Sequence, residues 1–218
     1  MFVNREEAGN LLADKLMNYC NNSDAVIVAI PRGGVPVGSA MSKKLNLPLE
    51  IVLSKKIGHP FNKEYAIGAV TLKNRILGDS VLGISKLYIE EETERVRTIL
   101  KKRYQLYYST KKPIELKGKT VILVDDGVAT GNTLISSIKL IQLQKPSSMI
   151  VALPVSSPSA LKNIKKLPNI LSIICLFAPR DFRAVGQFYD EFNQVNDTEV
   201  IKLLKEANDN FQLNYSNS

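Results

Sequence analysis

The stretch Val121-Ile122-Leu123-Val124-Asp125-Asp126-Gly127-Val128-Ala129-Thr130-Gly131-Asn132-Thr133-Leu134 decides how this chain is read. Its apolar, largely β-branched start predicts a strand buried on both faces. The strand ends in two adjacent carboxylates, and a turn of small residues then leads into a helix. In an open parallel sheet, ligands bind beyond the carboxyl ends of the strands, so the location itself suggests a site. The turn Ala129–Thr133 can aim several backbone N–H groups at one anion beside a helix N-terminus, with the Thr130 and Thr133 hydroxyls as further donors. Gly131 permits the positive φ that such a nest uses. The turn therefore suits a phosphate monoester. Ionised Asp125 and Asp126 only accept hydrogen bonds, which suits vicinal hydroxyls or a hydrated metal. Phosphate and diol together describe a ribose 5-phosphate. A lone Asp-Asp pair is more often a capped strand end; the whole pattern is what favours a site.

Similar short apolar runs occur at Ala25–Ile30, Leu49–Ser54, Met149–Val155 and Ile170–Phe177. Between them lie helical stretches. Asn4–Tyr19 carries Ala8, Leu11, Leu12, Leu16 and Tyr19 on one stripe, with Asn4 placed to cap it and Glu7 three residues on. Val35–Leu45 and Thr133–Leu143 each follow a strand after a glycine-containing turn. Strands alternating with helices predict βαβ crossovers, hence one doubly wound α/β fold with a mainly parallel sheet. The 218 residues fit a single domain, 1–218. Two segments break the alternation. Ile57–Gly78 reads as a loop at Gly58–Asn62 and then a hairpin over Ala66–Leu77. Ser85–Tyr108 reads as one long, highly charged helix.

Composition narrows the chemistry. Hydrophobic residues at 44% and charged residues at 23% are ordinary for a globular protein, which argues against global disorder. The longest apolar runs are far too short to span a bilayer, and the acidic N-terminal region does not read as a secretory signal. Cys20 and Cys175 lie far apart without a CxxC, so neither a zinc site nor a disulfide framework is expected, and a cytoplasmic setting follows. The single histidine, His59, limits triad chemistry and excludes a multi-histidine metal site. A net charge of +8 points to an anionic partner: nucleic acid, a membrane surface or a phosphorylated small molecule. Between Lys86 and Lys119 ten Lys and Arg face five Glu, so much of the excess sits on the charged helix and its linker. A solvated face with ion pairs is the simplest reading of that helix, and nucleic-acid binding a second one.

Other phosphate motifs fail. Gly118-Lys119-Thr120 has Pro113 where a P-loop needs glycine, and a strand follows where a helix should. Gly33-Gly34-Val35-Pro36-Val37-Gly38 has Val35 at the middle glycine of a dinucleotide fingerprint. An aspartyl-phosphate hydrolase needs Asp-x-Asp after its strand, whereas here the carboxylates are adjacent.

The Val121–Leu134 stretch resembles the phosphoribosyl pyrophosphate signature of type I phosphoribosyltransferases: a hydrophobic strand, two acidic residues and Ala-Thr-Gly-x-Thr, with Asn132 where a second glycine is usual. Ile30-Pro31-Arg32-Gly33-Gly34-Val35 resembles that family's pyrophosphate loop. Leu53-Ser54-Lys55-Lys56-Ile57-Gly58-His59-Pro60 resembles the start of its mobile catalytic loop. The likeness spans roughly residues 4 to 190 and is nearest a stand-alone subgroup. It implies transfer of ribose 5-phosphate from Mg²⁺-bound phosphoribosyl pyrophosphate to a nitrogen nucleophile, such as a nucleobase. Asp125 and Asp126 would hold the 2- and 3-hydroxyls, directly or through Mg²⁺-bound water. Ala129, Thr130, Gly131, Asn132 and Thr133 would cradle the 5-phosphate, and Arg32, Gly33 and Gly34 would meet pyrophosphate. Lys55 or Lys56 would contact the pyrophosphate, and His59 would protonate or orient the leaving group. Ala129 stands where 6-oxopurine enzymes carry an aspartate, which disfavours that acceptor class. The family's hood would come from about 1–20 and 178–218, with Phe182, Phe188, Tyr189 and Phe192 as a stacking face, or Arg180, Asp181 and Arg183 for an acidic acceptor. A homodimer, with the 85–108 helix at its interface, is expected by the same likeness. The alternative is a regulator of this fold that senses phosphoribosyl pyrophosphate and binds nucleic acid.

Overall fold

Five strands run parallel in one sheet: β1 (Ala25–Ala29), β2 (Leu49–Ile51), β6 (Thr120–Val124), β7 (Ser148–Val155) and β8 (Ser172–Phe177), in the order β2-β1-β6-β7-β8. This computed structural model describes residues 1–108 and 112–216. Alternate residues of each central strand enter different cores. Ala25, Ile27, Ala29, Ile122, Val124, Ile150 and Ala152 face one side, and Val26, Val28, Val121, Leu123, Met149 and Val151 the other. Helices α1 (Arg5–Asp14), α2 (Gly34–Leu45) and α6 (Asp197–Ser216) cover the first side, while α4 (Asn132–Gln142) and α5 (Pro158–Ile164) cover the second. Burial on both faces is why these strands read as continuous apolar runs, each fully buried Val or Ile contributing roughly 1.5–3 kcal/mol. The doubly wound parallel architecture expected from the sequence is thus present, and the Asn4 side chain caps α1 by accepting from the Glu7 N–H at 3.0 Å.

The strand order has a consequence for the site. The chain moves outward from β1 to β2, then returns to the other side of β1 with β6. The order therefore reverses between β1 and β6, the position at which open parallel sheets hold their ligand crevice. α1 fixes the N-terminus near that crevice by lying close on α2. A Cβ on Gly9 would come 2.5 Å from the Val37 carbonyl oxygen and 2.8 Å from the Ala40 Cβ, so only glycine allows this approach.

The region after β2 corrects one expectation. Lys55–His59 is not the start of a loop but a strand, β3, paired antiparallel with β4 (Asn62–Val70), which pairs in turn with β5 (Arg75–Leu77). Only Pro60 and Phe61 form the turn between β3 and β4. The reason is tertiary. Ile57, Ile67 and Val70 are fully buried against Ile89, Val96 and Leu100 of α3 (Lys86–Tyr108), and this separate core holds the sheet together. The outer charged face of α3 is solvated as the sequence suggests, with Arg97 paired to Glu94 and Glu90 to Arg75 of β5, whereas Glu92 is buried and pairs with Arg95 and Lys63.

Glu50 in β2 is 4% exposed, and its carboxylate accepts from the Ile51 N–H at 2.7 Å and the Ile114 N–H at 2.6 Å. Burial outweighs those donors and pushes its pKa up from 4.5 to about 7. The folded state then binds the proton more tightly than the unfolded chain. Stability is full below about pH 4.5 and declines as pH rises through about 7, by on the order of 1–3 kcal/mol. Urea denaturation at several pH values should show this slope, and Glu50→Gln should remove it.

Candidate functional site

Two loops meet at the reversal between β1 and β6. After β1, residues 30–34 turn into α2; the Gly34 N–H bonds back to the Ile30 carbonyl at 3.0 Å, and the Pro31–Arg32 peptide is cis. After β6 come Asp125 and Asp126. The loops touch through Gly33: a Cβ there would lie 2.1 Å from Asp126 Oδ2, so this glycine makes room for the carboxylate. Gly34 likewise abuts the β6 backbone, its missing Cβ 2.9 Å from the Val124 carbonyl oxygen. Asp125 Oδ1 accepts from the Asp126 N–H at 2.9 Å, which turns the two carboxylates into one constellation.

The turn beyond them is anchored to β7. The Val128 N–H bonds to the Val155 carbonyl, the Ser157 N–H to the Val128 carbonyl, and the Ser157 hydroxyl donates to the Ala129 carbonyl at 2.5 Å. Gly131 has φ +84° and stands at the N-cap of α4, the left-handed conformation its sequence position suggested. Ala129, Thr130, Asn132 and Thr133 are exposed around it, at a helix start whose first N–H groups have no intrahelical partner.

Electrostatics centre on the carboxylate pair. Desolvation, then the charge of Asp126, pushes the Asp125 carboxyl well above the usual carboxylate range. Desolvation also raises Asp126, and a cation opposes it: Arg5, the first residue of α1. Arg5 Nε and Nη2 both reach Asp126 Oδ2, at 2.9 and 2.8 Å, and the two side chains are 10% and 14% exposed. Arg5 Nη1 donates to the Asn193 carbonyl at 2.8 Å, and the guanidinium lies 3.9 Å from the centre of the Phe192 ring. Tyr189, stacked on Phe192 at 5.1 Å, donates its hydroxyl to the Asp126 carbonyl at 2.6 Å. That buried hydroxyl is held far above the ordinary tyrosine range, first by desolvation and then by the carboxylate. Arg5 was invisible to sequence reasoning because it lies 121 positions from its partner. Its one local signal, a basic residue at a helix N-terminus where acids are favoured, is weak.

The remaining candidates sit apart from this group. Lys56 pairs with Glu64 at 2.7 Å, His59 Nδ1 accepts from the Phe61 N–H at 3.2 Å, and the His59 ring faces Phe61 and Tyr65. Lys55 is exposed at the start of β3. No described hydrogen bond or ion pair joins Lys55, Lys56 or His59 to Asp125 or Asp126. Arg32 points a guanidinium at Asp197 of α6, 4.0 Å away, and Asp197 also accepts from the Tyr107 hydroxyl. The aromatic residues of 182–192 stack on one another, Phe182 on Phe188 and Tyr189 on Phe192.

A phosphoribosyl transferase domain model matches residues 4–183 of this sequence. The chain belongs to that phosphoribosyl transferase domain family. A crystal structure of the Thermus thermophilus protein TT1426 shares 36% identity with it at a TM-score of 0.84, covering 94% of this chain and 98% of the other. A Mycobacterium tuberculosis H37Rv protein provisionally named a phosphoribosyl transferase is 31% identical over 97% of this chain, but that is only 48% of the relative. The chain thus spans about half the length of the curated M. tuberculosis relatives it matches. A Corynebacterium glutamicum adenine phosphoribosyltransferase is 32% identical over 85 residues, 35% of this chain and 46% of that protein. The phosphoribosyltransferase domain and its mainly parallel sheet agree with the resemblance carried by Val121–Leu134.

The contact between the two loops of this phosphoribosyltransferase domain can be tested directly. Gly33→Ala should displace the Asp126 carboxylate from Arg5 and cost about 1–3 kcal/mol in chemical denaturation. On an Asp126→Ala background, which vacates the space, the same change should be near neutral. A double-mutant cycle measures that coupling.

Proposed function

We propose that this chain is a phosphoribosyltransferase that uses phosphoribosyl pyrophosphate and transfers its ribose 5-phosphate to a nitrogen nucleophile, with release of pyrophosphate. The observation that carries the reading is the meeting of Asp125-Asp126, the Ala129–Thr133 turn and the Arg32-Gly33-Gly34 loop at one reversal of strand order. The turn receives the 5-phosphate through the N–H groups that open α4 and the Thr130 and Thr133 hydroxyls. Asp125 and Asp126 accept from the ribose hydroxyls. Arg32 and the Gly33-Gly34 backbone take the pyrophosphate, which requires Arg32 to exchange Asp197 for the substrate.

The donor set supports Mg²⁺ only in a shared role. Among the described residues no group of three or more His, Cys, Asp or Glu side chains converges to hold a metal ion. Two carboxylates, one engaged by Arg5, fit an ion that takes most of its ligands from substrate and water. When bound, Mg²⁺ supplies positive charge to the pyrophosphate oxygens.

In the transfer, the C1–O bond to pyrophosphate breaks with its electron pair leaving on the phosphate oxygen. The acceptor nitrogen forms the new C1–N bond and gives up its proton to water or a nearby base. Positive charge develops on the sugar between these events, and Asp125 and Asp126 favour it when ionised. The proposed second group, Lys55, Lys56 and His59, belongs to the β3–β4 hairpin and serves the leaving pyrophosphate. Lys56 has to leave Glu64 to do so. The hood is proposed as 1–20 and 178–218; in support, Phe2 bridges to Tyr189 and Arg5 packs on Phe192. A cytoplasmic setting and a homodimer complete the proposal.

The test is pyrophosphate release from phosphoribosyl pyrophosphate with Mg²⁺ against a panel of nucleobases and small amines. At least one acceptor should support turnover, and Asp125→Asn with Asp126→Asn should lower it by about 10²-fold or more. Normal turnover in that double variant refutes the site assignment. His59→Ala should lower the rate and change the alkaline side of the pH–rate profile, where a proton donor loses its proton; an identical rate and profile removes His59 from the mechanism.

A further inference from the structure

We propose that Arg5 is a positioning residue for substrate: by gripping Asp126 it sets the carboxylate that receives the ribose. This rests on the phosphoribosyltransferase reading above and names a residue that the signature does not contain. Four observations converge. First, Nε and Nη2 both address one oxygen, Asp126 Oδ2, at 2.9 and 2.8 Å, so the carboxylate cannot rotate without losing both bonds. Second, the guanidinium is itself immobilised, with Nη1 on the Asn193 carbonyl at 2.8 Å and its face 3.9 Å from the Phe192 ring centre. Third, both partners are nearly out of water, at 10% and 14% exposure, where such a contact is screened little. Fourth, the same Oδ2 lies against Gly33 of the proposed pyrophosphate loop, so the oxygen that Arg5 fixes also borders the leaving-group side.

The chemistry explains why a cation is wanted there. Asp125 and Asp126 are adjacent carboxylates in a desolvated place and repel each other. Without Arg5, Asp126 turns away from Asp125 and the paired acceptor geometry for a diol is lost. Arg5 also adds positive charge beside a substrate that is a polyanion. A lysine keeps the charge but offers neither the planar fork nor the stack on Phe192. Arg5 thereby ties three separate segments, the start of α1, the strand end of β6 and residues 192–193, into one geometry.

The test compares wild type, Arg5→Met and Arg5→Lys by calorimetric binding of phosphoribosyl pyrophosphate without acceptor, by KM and kcat, and by thermal melting. Met149→Ala, a core change near the start of β7 and away from the site, serves as the stability control. Arg5→Met is expected to bind about 10- to 100-fold more weakly, with KM rising more than kcat falls. Arg5→Lys should restore part of the affinity, and Met149→Ala should melt earlier with unchanged affinity. An Arg5→Met variant that melts earlier yet keeps wild-type affinity and KM overturns the assignment, leaving Arg5 a structural residue. So does a fall in kcat alone. Should Arg5→Met not fold, Arg5→Lys carries the test: about 3- to 10-fold weaker binding supports the role, and wild-type binding overturns it. If wild type itself binds no phosphoribosyl pyrophosphate, the functional reading fails first and this inference with it. If wild type binds and both Arg5 variants bind equally well, only the Arg5 assignment falls.

Discussion

Two carboxylates side by side at the end of a buried strand form the constraint on which the site depends. Left alone they would repel each other and seek water. The fold answers with a cation from the other end of the sequence, a backbone N–H for Asp125, and a glycine that leaves space for Asp126. Removing one partner of such a desolvated pair costs about 3–5 kcal/mol, because the other charge remains buried without compensation. That penalty ties the position of α1 to the integrity of the crevice. Gly9 contributes from a distance, since its close approach to Val37 seats the helix that begins with Arg5.

The chain termini therefore do more than cover the core. Phe2 pairs with Tyr189, Tyr189 holds the Asp126 carbonyl, and Arg5 rests on Phe192. At the other loop Asp197, the first residue of α6, faces Arg32 while accepting from Tyr107. Asp126 and Arg32, both proposed to meet substrate, are thus already answered by opposite charges from the ends of the chain. The aromatic residues of 182–192 appeared in the sequence as a possible platform for a flat ring. In the structure Phe182 stacks on Phe188, and Phe192 meets both Tyr189 and Arg5.

How legible the protein was depends on the range of the forces involved. β1, β6 and β7 were readable because strands buried on both faces must be apolar throughout, and the half-buried edge strand β8 because its run is still apolar after Ser172. The Asn4 cap and the left-handed Gly131 were readable because capping and positive φ are local preferences. The β3–β4–β5 sheet was misread in part. Its stretch Lys55-Lys56-Ile57-Gly58-His59 is exposed at two positions and carries a glycine, so nothing within it marks a strand. Only the packing of Ile57, Ile67 and Val70 on α3 makes it one.

By itself the sequence determined the parallel α/β architecture, the place of the Asp125–Thr133 turn at a strand's carboxyl end and the family to which that turn belongs. These follow from periodicity, turn chemistry and a contiguous motif, all of which act over a few residues. The tertiary structure alone decided that Arg5 meets Asp126, that Gly33 makes room for the same carboxylate and that Lys56 and His59 lie on a hairpin of their own. Those facts depend on which distant segments the strand order brings together, and charge complementarity across 121 residues leaves no trace in local sequence.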